Sequence, residues 1–178
     1  LFEDWQDVKV DVDQGKVENP NVDITHYDSV ETEDKSFFYL RVAGKILAGV
    51  DVPTLKPKQM PSKRSSSTDT VEVGTQKENP LPVKTGEDAI YIFLDTEPGK
   101  GYENGPIEFG ADYLIEIKGQ NGVICSSVLK RFTGDTPDSW DWKFVRNADA
   151  ASGLKELEAS VELKPTNVYF HVVDWNLL

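Results

Sequence analysis

Hydrophobic and polar residues alternate along most of the chain with the two-residue period that is typical of β-strands. The clearest block comprises residues 88–95, 111–118 and 123–132, with the glycine-containing segments 97–102 and 119–122 between them. No helical periodicity separates these stretches, and glycine favours the tight turns that join antiparallel neighbours. The block therefore predicts three consecutive strands of an antiparallel sheet.

Further segments of strand length flank this block. In residues 156–163 every second residue is apolar and the residues between are acidic or small, which favours a half-buried strand over a helix. The flanking strands are predicted at 22–30, 36–42, 140–145, 156–163 and 167–173. So many short strands predict an all-β chain, folded as an antiparallel β-sandwich of jelly-roll type that forms a single domain over residues 1–178.

The first two of these flanking segments are predicted to pair as a hairpin or meander around the polar turn at residues 31–35. Strict alternation places Ile24, His26 and Asp28 on one face of the first strand. Tyr27 is then expected on the opposite face.

Residues 50–87 break the alternation. They are rich in proline, serine and lysine, and they form one long insertion within the domain. Loops beyond about 15 residues are uncommon in compact domains and are usually functional or linker-like. We expect this insertion to dock on a sandwich surface and to link copies of the protein, with a passive loop as the alternative.

Composition narrows the choice of partners. The chain has 178 residues and a formal net charge of −12 at pH 7. Nucleic acid is not an expected partner, because phosphate binding needs clustered Lys and Arg. No apolar run approaches the roughly 20 residues that span a bilayer, so no membrane span is predicted. The acidic N-terminus lacks the features of a signal peptide, so we expect a processed mature protein or an excised domain.

Residues that usually carry catalysis are scarce. Cys125 is the one cysteine, and His26 and His171 are the two histidines. Two histidines make no zinc site without further ligands. Haem is not expected, because Met60 lies in the insertion and both histidines lie in predicted strands. No motif of serine hydrolases, zinc proteases or P-loop enzymes occurs, so the chain is predicted to be noncatalytic.

Several short stretches resemble a known class of module. They are residues 86–97, Gly101-Tyr102, 110–117, 119–122, Asp4-Trp5 with 21–24, and Trp140-Asp141-Trp142. Together they resemble β-sandwich modules of secreted and cell-surface proteins, archaeal ones especially, such as family-nine carbohydrate-binding modules and DOMON-like domains. The resemblance covers most of the chain outside the insertion. It implies an extracellular or cell-surface setting, no catalysis, and the structural calcium that similar modules often carry.

Two groups of acidic residues are candidate calcium ligands. They are Asp11, Asp13 and Asp23, near an early strand, and Asp95, Glu97 and Asp112, at strand ends. An EF-hand is excluded, because its invariant Gly and Glu are missing at the sixth and twelfth positions counted from Asp11. Irregular loops can still supply the six to eight oxygens that Ca²⁺ takes. The alternative is that these aspartates cap their own turns.

Aromatic residues supply the candidate ligand-binding site. Trp140 and Trp142 are two residues apart and so share one face of their predicted strand, and Tyr102 in the glycine-rich turn adds a third ring. Such rings could form a stacking platform for sugars. The preferred interpretation is that both indoles fill the sandwich core, because large aromatic side chains dominate core energetics.

Two functions are consistent with these features. The first is a noncatalytic structural or adhesive protein of the cell surface that self-associates into oligomers or filaments. The alternative is a calcium-supported carbohydrate-binding module whose partners are surface glycans. Exposure of Trp140 and Trp142 discriminates between the two, because buried rings favour the first and exposed rings the second.

Overall fold

The computed structural model describes residues 2–11, 17–49 and 86–174. A short 3-10 turn, Phe2–Asp4, precedes the strands. The strands are β1 (Lys9–Val10), β2 (Ile24–Glu31), β3 (Ser36–Val42), β4 (Asp88–Asp95), β5 (Tyr102–Asn104), β6 (Ile107–Ala111), β7 (Tyr113–Gln120), β8 (Val123–Phe132), β9 (Trp142–Asn147), β10 (Asp149–Ser152), β11 (Glu156–Val161) and β12 (Asn167–Val173). The described part of the chain is therefore all-β, as the sequence predicts.

Ten of these strands form two antiparallel sheets that pack against each other, which confirms the β-sandwich. Sheet A has the order β1-β2-β3-β11-β10, and sheet B has the order β12-β4-β7-β8-β9. The remaining pair, β5-β6, forms a separate hairpin. Sheet B contains the three strands of the central block, β4, β7 and β8, which pair in the predicted order. They are not consecutive, because the hairpin β5-β6 lies between β4 and β7 along the chain.

The main core lies between the two sheets and is built from alternate residues of their strands. Its largest buried side chains are Phe38, Leu40, Ile46, Leu47, Ile90, Ile92, Leu94, Ile115, Ile117, Leu129 and Leu157. In β11, Leu157, Ala159 and Val161 face this core, which confirms that residues 156–161 form a strand rather than a helix. Because one face of each strand packs here, the opposite faces form the two outer surfaces of the sandwich.

A β-bulge in β2 changes the faces that strict alternation predicts. Ile24 pairs with Val42, whereas His26 pairs with Arg41, so Thr25 is an extra residue in the ladder. An extra residue reverses the side-chain alternation beyond it. His26 therefore lies opposite the exposed Arg41, and the prediction that it shares a face with Ile24 is wrong.

The described residues bear differently on the predicted insertion and on the prediction that no segment spans a membrane. Residues 50–85 lie outside the described residues, and with them most of the predicted insertion at 50–87. Docking of that segment stays a prediction. Within the described ranges, no helix is long and apolar enough to cross a membrane.

Candidate functional site: an aromatic groove on sheet B

Sheet B carries a second apolar cluster on the face that points away from sheet A. In β4 the inward positions are aliphatic, whereas the outward positions are Tyr91 and Phe93. Across the ladder Tyr91 pairs with His171 of β12, and Phe93 pairs with Tyr169. Opposed residues of an antiparallel pair share one face of the sheet. The four rings therefore form a continuous aromatic floor on the outer face of two adjacent strands.

The hairpin β5-β6 covers one end of this floor. Tyr102 stacks on Phe93 with ring centroids 5.7 Å apart and an interplanar angle of 13°. The chain reaches this position through Gly101, whose φ is 139°, a conformation that side chains disfavour. A Cβ at Gly101 would also collide with the main chain of Ala111. This glycine therefore allows the start of β5 to lie close to the end of β6 within the hairpin.

Trp140 forms a wall of the groove. It lies in the loop before β9, and 49% of it is exposed. Its ring makes edge contacts with Tyr91 at 5.5 Å and with Tyr102 at 5.2 Å between centroids. The result is an open groove of about 450 Å³. Its lining residues are Tyr91, Phe93, Tyr102, Asn104, Gly105, Pro106, Ile107, Trp140, Tyr169, His171 and Val173.

The structure brings together the three aromatic residues that the sequence proposes for ligand binding. The rings of Trp140 and Trp142 lie 5.7 Å apart, and Tyr102 lies 5.7 Å from Trp142. Tyr102 is buried and Trp142 is half-buried in the outer cluster, whereas Trp140 is half-exposed. The interpretation of both indoles as core residues is therefore wrong for Trp140, whereas Trp142 packs against the buried outer cluster rather than between the sheets.

Polar groups are few in the groove. The Asn104 side chain donates a hydrogen bond to the Tyr102 hydroxyl at 3.2 Å. Burial, with the nearby Glu116 carboxylate, raises the pKa of the Tyr91 phenol. Desolvation lowers the pKa of the His171 imidazole, although the residue keeps an exposed edge. These groups are therefore neutral hydrogen-bonding partners at pH 7, set in an apolar groove, which is the usual composition of a small-molecule site.

Sequence reasoning missed most of the lining, including the four residues of the aromatic floor: Tyr91, Phe93, Tyr169 and His171. Each occupies an outward position of a strand whose other face builds the core. A strand that is apolar or aromatic on both faces is covered on both sides. β4 shows this pattern of apolar or aromatic residues on both faces. Only the fold, however, identifies the hairpin β5-β6 and Trp140 as the elements that cover its outer face.

The candidate calcium ligands near the end of β4 are partly engaged elsewhere. Both carboxylate oxygens of Asp112 accept hydrogen bonds from Thr96, one of them from its amide at 2.6 Å. Asp95 is buried and accepts from Asn167 at 3.0 Å, while its Oδ1 has no hydrogen-bond partner among the described residues. Glu97 is exposed. The unpartnered Oδ1 is the one feature here that a cation would satisfy.

Two members of the first acidic group, Asp11 and Asp23, line a common pocket beside Tyr169 and His171. Asp13 lies outside the described residues. Asp23 is buried, and its carbonyl accepts the Ala43 amide, while Asp11 lies close enough to Tyr169 to contribute to the raised pKa of that phenol. No group of three or more His, Cys, Asp or Glu side chains suited to a metal occurs in the described ranges. Calcium binding stays a prediction.

A pair of carboxyl groups that sequence reasoning missed lies at the opposite end of β4. Asp88 is buried, accepts the amides of Ala48 and Gly49, and contacts the carboxyl group of Asp174. Asp174 in turn accepts a hydrogen bond from Asn19 at 2.9 Å. Burial and the neighbouring Asp174 raise the pKa of Asp88 to about 7. The pair therefore shares a proton around neutral pH.

Comparison with known proteins adds no relative. No protein-family model matches the chain, no curated protein matches it, and no solved structure matches it. The resemblance to family-nine carbohydrate-binding modules and DOMON-like domains therefore rests on the sequence motifs and stays a prediction.

Proposed function

We propose that the protein is a noncatalytic carbohydrate-binding module that holds a glycan in the aromatic groove of sheet B. The observation that carries this proposal is the exposure of Trp140, 49%, beside a groove in which Phe93 and Tyr102 are buried and Tyr91 and Tyr169 are half-buried. A large exposed aromatic ring beside an aromatic floor is expected at a binding surface rather than in a packing role.

Aromatic grooves suit sugars for a physical reason. Pyranose rings present apolar C–H faces, and the electron-rich face of an aromatic ring attracts such weakly positive groups. The hydroxyl groups at the ring edge need hydrogen-bonding partners, which Tyr91, Asn104 and His171 provide. The groove volume of about 450 Å³ lies within the range of small-molecule sites.

Binding without hydrolysis is favoured by the groove lining. Glycoside hydrolysis uses a pair of carboxyl groups on either side of the scissile bond. The described residues that line the groove include no Asp or Glu. An extracellular or cell-surface setting and calcium support belong to the same proposal, on the resemblance and on the unpartnered Asp95 Oδ1 respectively.

The structural or adhesive role is the second candidate. Its support in the sequence was the insertion, which lies mainly outside the described residues, together with the lack of catalytic motifs and the resemblance. Buried indoles were expected to favour it over glycan binding. The half-exposed Trp140 shifts preference to glycan binding. An adhesive protein can also act by binding surface glycans, so the aromatic groove serves either role.

Titration of soluble oligosaccharides and polysaccharides, followed by calorimetry and tryptophan fluorescence, tests the proposal. Trp140→Ala should abolish binding with little loss of thermal stability. Trp5→Phe is the matched control, because Trp5 stacks on Tyr39 of sheet A at 5.3 Å and is remote from the groove. If no sugar binds, or if Trp140→Ala binds as tightly as wild type, the proposed function is wrong.

A further inference from the structure

Two lysines and one glutamate lie beside the aromatic groove on the same face of sheet B. Glu116 is buried, and its carboxylate lies 3.0 Å from Lys130 Nζ and 3.7 Å from Lys118 Nζ. Both lysine side chains keep solvent contact, with 40% of Lys118 and 25% of Lys130 exposed. One carboxylate cannot neutralise two ammonium groups, so this cluster has a formal charge of plus one.

The cluster adjoins the groove through the strand register. Tyr91 pairs with Glu116 across β4 and β7, and Phe93 pairs with Leu114, which in turn pairs with Lys130 of β8. Neighbouring strands lie about 4.8 Å apart, so the lysines are within two strands of the groove floor.

The local charge beside Tyr91 opposes that of the whole chain. The protein carries 31 acidic residues against 19 basic ones and has a formal net charge of −12. The described residues of the groove lining nevertheless include no carboxylate, and the cluster of Glu116, Lys118 and Lys130 on the Tyr91 side is positive, whereas Asp11 lies near Tyr169 on the other side. Such a local reversal allows an anion to approach a surface that the rest of the protein would repel.

We propose that the ligand of the aromatic groove is an acidic glycan, whose sugar ring packs on Tyr91 and Trp140 and whose anionic group is bound by Lys130 and Lys118. This inference rests on the proposed function and specifies its substrate class. The ammonium groups act as point charges, so they accept a carboxylate or a sulfate on the sugar.

Matched pairs of oligosaccharides test the charge preference. The pairs are cello-oligosaccharide and its C6-oxidised form, methyl-esterified and free oligogalacturonate, and galactan and sulfated galactan. At low ionic strength the acidic member of at least one pair should bind about tenfold or more tightly than its neutral partner, and this margin should shrink as salt is added.

Variants test which residues create the preference. Lys118→Gln should remove most of the difference in affinity between acidic and neutral sugars. Glu116→Gln should increase that difference, because both ammonium groups then lose their internal partner. The double variant Glu116→Gln/Lys130→Gln removes a pair together, which avoids leaving a buried charge unpaired, and it keeps the net charge of plus one through Lys118, so it should retain a preference for acidic sugars. Lys45→Gln, in the exposed loop after β3, is the control and should leave the margin unchanged.

The outcomes separate the two proposals. Binding of neutral sugars as tightly as acidic ones, or a preference that survives Lys118→Gln, overturns the inference and leaves the carbohydrate-binding function intact. Absence of binding to every sugar overturns both. A preference for acidic sugars that follows the lysines, and that Trp140→Ala abolishes together with binding, supports both.

Discussion

The indole of Trp140 packs edge-on against the phenol ring of Tyr91, with centroids 5.5 Å apart and planes at 84°. Tyr91 lies in β4 and Trp140 lies in the loop before β9, so the contact joins the two sides of sheet B. Perpendicular packing leaves much of the indole exposed to solvent while its edge stays anchored. This arrangement gives the groove a rigid wall that can contact a ligand.

The two neighbouring indoles should differ in what they contribute. Trp142→Ala should lower the free energy of unfolding by roughly 3 kcal/mol, because Trp142 packs among Phe132, Tyr102 and Phe93 in the outer cluster. Trp140→Ala should cost much less stability, since its ring is half-exposed. Urea denaturation of both variants measures the difference, and equal losses would contradict the division of roles.

Gly101 should be essential for the position of the hairpin that borders the groove. Gly101→Ala should destabilise the fold and weaken sugar binding, because its φ of 139° and its contact with Ala111 leave no room for a Cβ. Gly105→Ala, at the hairpin tip, meets nothing within 4 Å and has φ of 59°. Thermal melting should therefore show a clearly larger loss for Gly101→Ala than for Gly105→Ala.

The Asp88–Asp174 pair should make stability depend on pH. The pKa of Asp88 is raised from 3.8 to about 7, so between these values the folded protein binds a proton that the unfolded chain releases. This group's contribution to stability is therefore full below about pH 4 and is lost as pH rises through about 7.

Asp88→Asn isolates this contribution from that of other carboxylates. The amide keeps one acceptor oxygen for the Ala48 and Gly49 amides and removes the repulsion from Asp174, so the variant should gain melting temperature relative to wild type as pH rises from 5 to 8. Glu97→Gln is the control at an exposed carboxylate. If the difference in melting temperature between wild type and Asp88→Asn does not change with pH, the two carboxyl groups do not share a proton.

Calcium binding should be visible as a gain in stability. A ligand that binds the folded state alone raises the melting temperature with its concentration. If Asp95 Oδ1 binds Ca²⁺, the melting temperature rises between excess EDTA and millimolar Ca²⁺, and Asp95→Asn removes the rise. Identical melting curves of the wild type in EDTA and in Ca²⁺ would end the calcium prediction.

Self-association is tested through the insertion. Replacing residues 54–84 by a short Gly-Ser linker should lower the mass measured by light scattering, if the segment links copies of the protein. The groove variants serve as controls, because Trp140→Ala should leave the mass unchanged. A wild type that is monomeric at every concentration, with an unchanged mass after the replacement, would remove self-association from the proposed roles.

Alternation of apolar and polar residues was sufficient to predict the fold class and several strand bounds. β3, β4, β8 and β12 begin and end where the pattern predicts. These strands have regular alternation or continuous apolar residues bounded by turn residues, so local sequence and burial agree. β1, β5, β6 and β10 were missed, because two to five residues are too few to establish a period.

Tertiary structure alone determined which face of the sheet the β2 side chains occupy and where the aromatic groove forms. The bulge at Thr25 arises from pairing with β3 and reverses the positions of His26 and Tyr27, which no period within β2 could indicate. Trp140 and Tyr91 are 49 residues apart in sequence and meet only because β4 and β9 belong to one sheet and the hairpin β5-β6 covers part of its face. The sequence by itself determined which side chains can bury in strands; the packing of loop and hairpin over sheet B determined which aromatic ring remains exposed to a ligand.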